Sequence, residues 1–255
     1  KTTWKPKSLK SWWYGKMQVT TQAIVISSLK YAEADLIVSC FTKSYGLKSY
    51  LLRGILKSRK GKLRTSLFQP LTLLQLEAFH KDKGALERIN EAKVMIPYQT
   101  LHTDVIKSSL LLFLSEVLKN SIKEEAPNPT LFKYITESMI WLDAHNEVAN
   151  FHLLFLLKLS LYLGFYPDFS ENEKRYFNLM EGNFQSFSAG DYAEEGSVVE
   201  TLKALDRLSF EELPSWNISK QNRMETLDLL LKYYQIHLQG FRKPKSLPVL
   251  QQLFH

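Results

Sequence analysis

The 255-residue chain contains a single cysteine, Cys40. A lone thiol excludes an internal disulfide and every zinc site built from several cysteines, and it fits a reducing compartment. Cys40 itself lies in an apolar strand pattern and reads as a buried core thiol. Long apolar runs are also missing. The most apolar stretch, Phe151–Phe165, is interrupted by His152 and Lys158. It falls short of the ~20 residues that a membrane-spanning helix needs. No apolar signal core follows the basic first residues, so the cytoplasm is the expected compartment. The histidines, at 80, 102, 145, 152, 237 and 255, form no His-Glu-x-x-His pair, and no Gly-x-x-x-x-Gly-Lys-Ser/Thr loop occurs. Metalloprotease and P-loop ATPase chemistry therefore lack their signatures. Glu33 and Asp35 have no third carboxylate nearby, which suits a structural role better than a magnesium site. No catalytic residue, metal or cofactor is expected.

Acid is scarce in one half of the chain. Residues 1–16 hold five lysines and no acid, and no Asp or Glu occurs between Leu36 and Leu76. Residues 17–96 carry a net charge of +7, whereas residues 97–255 carry −5. Apolar residues make up 45% and charged residues 23%, which is the composition of a globular protein. The charge asymmetry points to two functional halves and an anionic partner for the first.

The pattern of residues also changes between the halves. Val19–Ser28, Leu36–Thr42, Leu47–Leu56, Leu67–Phe79 and Ala85–Lys93 read as five short strands, with turns at Tyr45-Gly46 and Lys83-Gly84. That spacing suits a small barrel or sandwich. From about Tyr98 the apolar period becomes helical. Helices are expected over Thr103–Ile122, Pro129–Leu142, Val148–Leu163, Val198–Leu208, Lys220–Leu238 and Leu247–Phe254. The third is apolar nearly all round, which places it at the centre of a bundle. Tyr166–Gly196 is polar, with three glycines, and reads as an irregular insertion. The expected organisation is an extension over 1–16, a β domain over 17–96 and a helical domain over 97–255.

The densest feature is the run from Arg53 to Arg64, with six cations in twelve residues: Arg53, Lys57, Arg59, Lys60, Lys62 and Arg64. Lys43 and Lys48 add two more. Cations packed this closely repel one another, so a fold tolerates them in solvent or against an anion. A phosphate backbone fits. Each neutralised phosphate releases counterions, and the arginine fork matches phosphate oxygens. Gly54 and Gly61 mark a loop leaving a strand. Tyr45 and Tyr50 are candidates for stacking on bases, while Phe41 and Phe68 read as core. In the helical half, Arg242, Lys243 and Lys245, near Phe241 and Leu247, could rim a groove for an acidic, apolar peptide. A solvated basic loop and a solvated C-terminal turn are the plainer alternatives.

At these residues the chain resembles the bacterial recombination mediator family RecO. The resemblance runs through Thr21–Ile26, Tyr31-Ala-Glu33-Ala-Asp35, Phe41-Thr42, Tyr45-Gly46, Arg53-Gly54, the basic run and Leu67–Leu71. It continues at Leu163-Gly-Phe-Tyr-Pro167, Tyr233–Leu238 and Lys245-Ser-Leu247. The resemblance implies an α+β protein with an N-terminal OB-fold and a C-terminal all-α domain. It implies binding to single- and double-stranded DNA, annealing of complementary strands, and a place on the nucleoid. It also implies partnership with RecR, with the tail of single-strand-binding protein and, indirectly, with RecA. A general OB-fold nucleic-acid binder without such partners is the first rival. The second is an enzyme, which would require three or more titratable groups converging in a cleft.

Two departures stand out. Many members of the family carry a four-cysteine zinc module after the Gly-Phe-Tyr-Pro-like motif, but Asp168–Gly196 holds neither cysteine nor histidine. The family pattern also begins near Met17, after an extension with Trp4, Trp12, Trp13 and Tyr14 among its lysines. That extension reads first as a leader upstream of the natural start, and alternatively as an arm that stacks on bases. On the first reading, deleting residues 1–16 leaves single-strand affinity and its salt slope unchanged in titrations at two salt concentrations. A loss of both assigns the extension to DNA.

Overall fold

A computed structural model describes residues 17–57, 63–81, 86–123, 126–188 and 190–254. The first half is an antiparallel sheet of five strands: β1 (Met17–Tyr31), β2 (Asp35–Thr42), β3 (Gly46–Leu52), β4 (Leu73–His80) and β5 (Arg88–Val94). The order is β3-β2-β1-β4-β5. β1 is long enough to serve two partners. Its first part pairs with β4, from Met17↔His80 to Ile24↔Leu73, and its second with β2, from Ala23↔Thr42 to Tyr31↔Asp35. An irregularity between Val25 and Ser27 bends it between the two. The edge strands meet where Leu51 N–H donates to Glu87 O (2.9 Å) and Glu87 N–H to Ser49 O (2.8 Å). This single bridge curls the sheet into an OB-like barrel without a full closing ladder.

Alternation along β1 explains how the barrel is held. Ala23 and Val25 pack inward with Val38, Cys40, Leu74 and Leu76. Ile24 and Ile26 point the other way, into a core shared with the helices. Phe41, Leu71 and Leu73 join them there, and the Phe41 ring lies 6.1 Å from that of Phe132. Cys40 is fully buried, and burial pushes its thiol pKa up to about 12.

Two expected strands are shorter than their apolar runs. β3 stops at Leu52 because Gly54, at φ 68°, turns the chain. β4 starts only at Leu73; Thr65–Phe68 is instead a 3-10 helix. Leu71 adopts a left-handed φ of 57°, which is strained for a leucine. Three contacts hold it there: a fully buried side chain, a 2.8 Å bond from its N–H to Val25 O, and a 3.1 Å bond from Tyr98 Oη to its own carbonyl.

The second half consists of α1 (Val105–Ser121), α2 (Pro129–Ala144), α3 (Phe151–Tyr162), α4 (Ser197–Arg207), α5 (Lys220–His237) and α6 (Leu247–Leu253). Asp104, Asn128 and Ser219 cap α1, α2 and α5 with side-chain oxygens. Every residue from Phe151 to Leu157 is buried, so α3 is central. Among the described residues no helix is long and apolar enough to cross a membrane. The joint between the halves is clasped at Asp143, near the end of α2. Its carboxylate accepts the N–H groups of Gln99 (2.8 Å), Thr100 (2.8 Å) and Leu101 (3.1 Å). Burial by itself raises this carboxyl's pKa, but the three bonds outweigh it and hold the group below its usual range. The buried Lys107 completes the clasp by donating to Thr100 Oγ1 (2.8 Å) and to the Asp143 carbonyl (3.0 Å).

The stretch expected to be irregular carries a small sheet of β6 (Tyr176–Asn178), β7 (Asn183–Gln185) and β8 (Ala193–Glu194), ordered β7-β6-β8. Strands of two or three residues leave no alternation to read. Aromatic packing holds this sheet to α5. Phe177 meets Phe184 at 5.1 Å and Tyr233 at 5.7 Å, and Phe169 meets Phe184 at 5.4 Å. At Gly182 the backbone comes so close to the Tyr233 hydroxyl that a Cβ would collide with it. Its φ of 68° also favours glycine. Truncating the fully buried Phe177 to alanine should cost about 3–5 kcal/mol in a denaturant melt. Dialysis against EDTA should leave the wild-type midpoint unchanged; a drop on chelation would assign the stability to a metal instead.

Candidate nucleic-acid interface

One end of the barrel gathers the start of the basic run. β1 and β2 extend beyond the barrel body to a turn at Ala32–Ala34, and the chain leaving β3 folds back against it. Gly54 N–H donates to Asp35 Oδ1 (2.7 Å), and Leu56 N–H to Ala34 O (3.0 Å). Lys57 Nζ donates to Glu33 Oε2 (3.1 Å). Glu33 and Asp35 thus have the structural role expected of them, anchoring the root of the basic run. The Lys57–Glu33 pair is exposed on both sides and adds little stability. It does set where the run departs. Ser28 Oγ donates to Phe68 O (2.6 Å), bringing the 3-10 helix beside the same end of β1.

The candidate cations do not share one patch. Arg53, Lys57 and Arg64 are exposed and lie at the two roots of the basic run. Arg59, Lys60 and Lys62 lie outside the described residues, as do Trp4, Trp12, Trp13 and Tyr14. Lys43 is exposed at the β2–β3 turn, toward the other end of the hairpin, and Lys48 is half-buried in β3 opposite Cys40.

Of the two stacking candidates, Tyr50 needs correcting. Tyr50 is fully buried: its side chain points into the barrel, and its hydroxyl lies 3.0 Å from His80 Nε2. Burial, with the thiol of Cys40 and the carboxylate of Glu87 nearby, pushes its pKa well above the usual phenol range. No base can reach it. The reason is register: Tyr50 pairs with Val38, an inward position. Tyr45 is half-buried and meets the His80 ring edge-on at 5.0 Å, as part of the barrel wall. Among the described tyrosines of the barrel, Tyr31 is the one open to solvent, with 51% of its surface exposed at the end of β1.

In the helical half, Arg242, Lys243 and Lys245 are exposed. Lys243 pairs with Asp228 (2.9 Å), and the Arg242 carbonyl accepts from Asn120 Nδ2 (2.7 Å). Phe241 and Leu247 beside them are buried. These three cations do not border the cleft of about 310 Å³ between the helices, whose walls include Phe41, Ile122, Leu131, Tyr162 and Leu238. Lys123 is on that cleft, and its Nζ donates to Gln239 O.

Three titratable groups do converge, at Lys158, Tyr166 and Asp206. Tyr166 Oη donates to Asp206 Oδ1 (2.6 Å), and Lys158 Nζ donates to Tyr166 Oη (3.0 Å) and to the Asp206 carbonyl (2.9 Å). None of them lines the cleft. Each satisfies the others, and together they tie the end of α4 to α3. No group of three or more His, Cys, Asp or Glu side chains arranged to hold a metal occurs among the described residues.

The family model described as Recombination protein O N terminal matches residues 17–98, and Recombination protein O C terminal matches residues 102–248. A protein named DNA repair protein RecO from Christiangramia forsetii is 48% identical over 238 residues, covering 93% of this chain and all of the relative. One of the same name from Flavobacterium psychrophilum is 45% identical over the same shares. A third, from Bacteroides fragilis, is 35% identical over 92% of this chain and 98% of its own length.

If Tyr50 is a wall residue, Tyr50→Phe should lose about 1 kcal/mol of unfolding free energy with its bond to His80. Single-strand affinity by fluorescence anisotropy should be unchanged. A loss of affinity without a loss of stability would return Tyr50 to the DNA site.

Proposed function

The chain belongs to the RecO family, and from that premise we propose that it is a DNA-binding recombination mediator in DNA repair, acting without covalent chemistry on the DNA of the cytoplasmic nucleoid. The observation that carries the reading is the barrel end at which Arg53, Lys57 and Arg64 stand exposed around the roots of the basic run. Cations on a fixed scaffold neutralise phosphates of one or two strands without reading sequence. Two strands screened in this way repel each other less, which lowers the barrier to annealing.

Protein partners belong to the helical half on this reading. Its net charge of −5 suits it poorly to DNA. The tail of single-strand-binding protein is the proposed occupant of an apolar site there, and the 310 Å³ cleft, with Lys123 on its wall, has the chemistry for an acidic, apolar peptide. Arg242, Lys243 and Lys245 would then act as a separate basic surface. RecR is the proposed direct partner, and RecA loading on coated single strands the outcome. A general OB-fold nucleic-acid binder shares the DNA site but lacks these partners. Annealing of strands coated with single-strand-binding protein, with and without RecR, separates the two.

Replacing Lys57, Arg59, Lys60, Lys62 and Arg64 together by glutamine should weaken single-strand binding. It should also flatten the salt dependence by up to roughly 0.7 log units per log salt for each lost phosphate contact. Binding and annealing that both survive the change would remove the basic run from the site.

A further inference from the structure

The far end of the β1–β2 hairpin is not covered by the helical half. After the irregularity at Val25–Ser27, Ser28 pairs with the inward-facing Val38, and Leu29 with Ile37. Leu29 and Tyr31, two residues apart, therefore share the outer face. Ile37 pairs in turn with Leu51, so a row of apolar side chains crosses three strands. This is the same sheet face that carries Phe41 into the helical core further along β2. There the helices cover it. Here Leu29 is 65% exposed, Tyr31 51%, and Ile37 and Leu51 are half-buried. The Tyr31 ring makes no aromatic or cation–π contact among the described residues.

The surroundings narrow what this face can hold. Arg53 and Lys57 are exposed where the chain leaving β3 folds against the turn, and Lys30, between Leu29 and Tyr31, is exposed on the opposite face. The acids of the turn are already engaged, Glu33 by Lys57 and Asp35 by the Gly54 N–H. Next to Tyr31, Ala32 is held at a left-handed φ of 52°, the kind of local strain that persists where surrounding contacts impose it. A bare aromatic ring and an apolar row, flanked by cations, match a ligand with a flat apolar face and an anionic backbone. An unpaired nucleotide strand has both.

We infer that Tyr31, supported by Leu29, is a stacking platform for unpaired bases, set beside the phosphate-binding roots of the basic run. This rests on the DNA-binding reading and adds to it: phosphates would be held by the cations, and bases by the hairpin.

The test compares two oligonucleotides of equal length, one of thymidines and one with abasic sites throughout, by fluorescence anisotropy with the full chain. Wild type should bind the thymidine strand roughly 5- to 150-fold tighter, the range expected for one base stacked on an aromatic ring. Tyr31→Ala should abolish most of that preference while leaving abasic affinity and its salt slope unchanged. Tyr31→Phe should keep the preference, and Leu29→Ser should reduce it. Tyr31→Ala retaining the full preference would overturn the inference and leave phosphate binding standing. If wild type binds neither strand, the DNA-binding reading falls and takes this one with it. The exposed position keeps folding out of the comparison, and equal melting midpoints verify that.

Discussion

The structure depends on one strand being apolar on both faces. β1 sends Ala23 and Val25 into the barrel, and Ile24 and Ile26 into the helical core. Burying a side chain of that size is worth about 1.5–3 kcal/mol. Ile24, Ile26, Phe41, Leu71 and Leu73 together therefore make the halves one packed body rather than two beads on a linker. The Asp143 clasp and the strained Leu71 follow from this docking, since both lie where the chain must pass from sheet to helices without leaving the shared core.

Docking also decides what stays free. The helices cover the sheet around Phe41 and leave the β1–β2 turn in solvent. Arg53 and Lys57 stand exposed near that uncovered end, in solvent rather than in low dielectric. Glu33 and Asp35 stand at the root of the run, one paired with Lys57 and the other holding Gly54, so the positive segment departs from a fixed point.

Much of this was legible in the sequence. The five strands and six helices follow from period, caps and turn residues, and the family pattern supplied the OB-like build. The gaps have physical causes. Tyr45 and Tyr50 looked equally open because a barrel strand alternates, and sequence does not say which parity faces inward; register put Tyr50 inside. In the sequence Tyr31 stands only as part of a motif, since nothing in its neighbours tells that the helices stop short of it. β3 and β4 fall short of their apolar runs because apolar content does not reveal a left-handed Gly54 or Leu71. The β6–β8 sheet was invisible because its strands are too short to carry a period.

The insertion that β6–β8 build is fastened by rings, in a stretch that holds no cysteine to bind zinc as a thiolate. Phe169, Phe177, Phe184 and Tyr233 have no acid-labile or oxidisable ligand to lose. A thiolate site must be loaded with metal before it folds and can be emptied by an oxidant or a chelator. Here the fastening groups are rings carried by the chain itself. An oxidant or chelator therefore finds no thiolate to attack in Asp168–Gly196, whatever the redox state around the DNA.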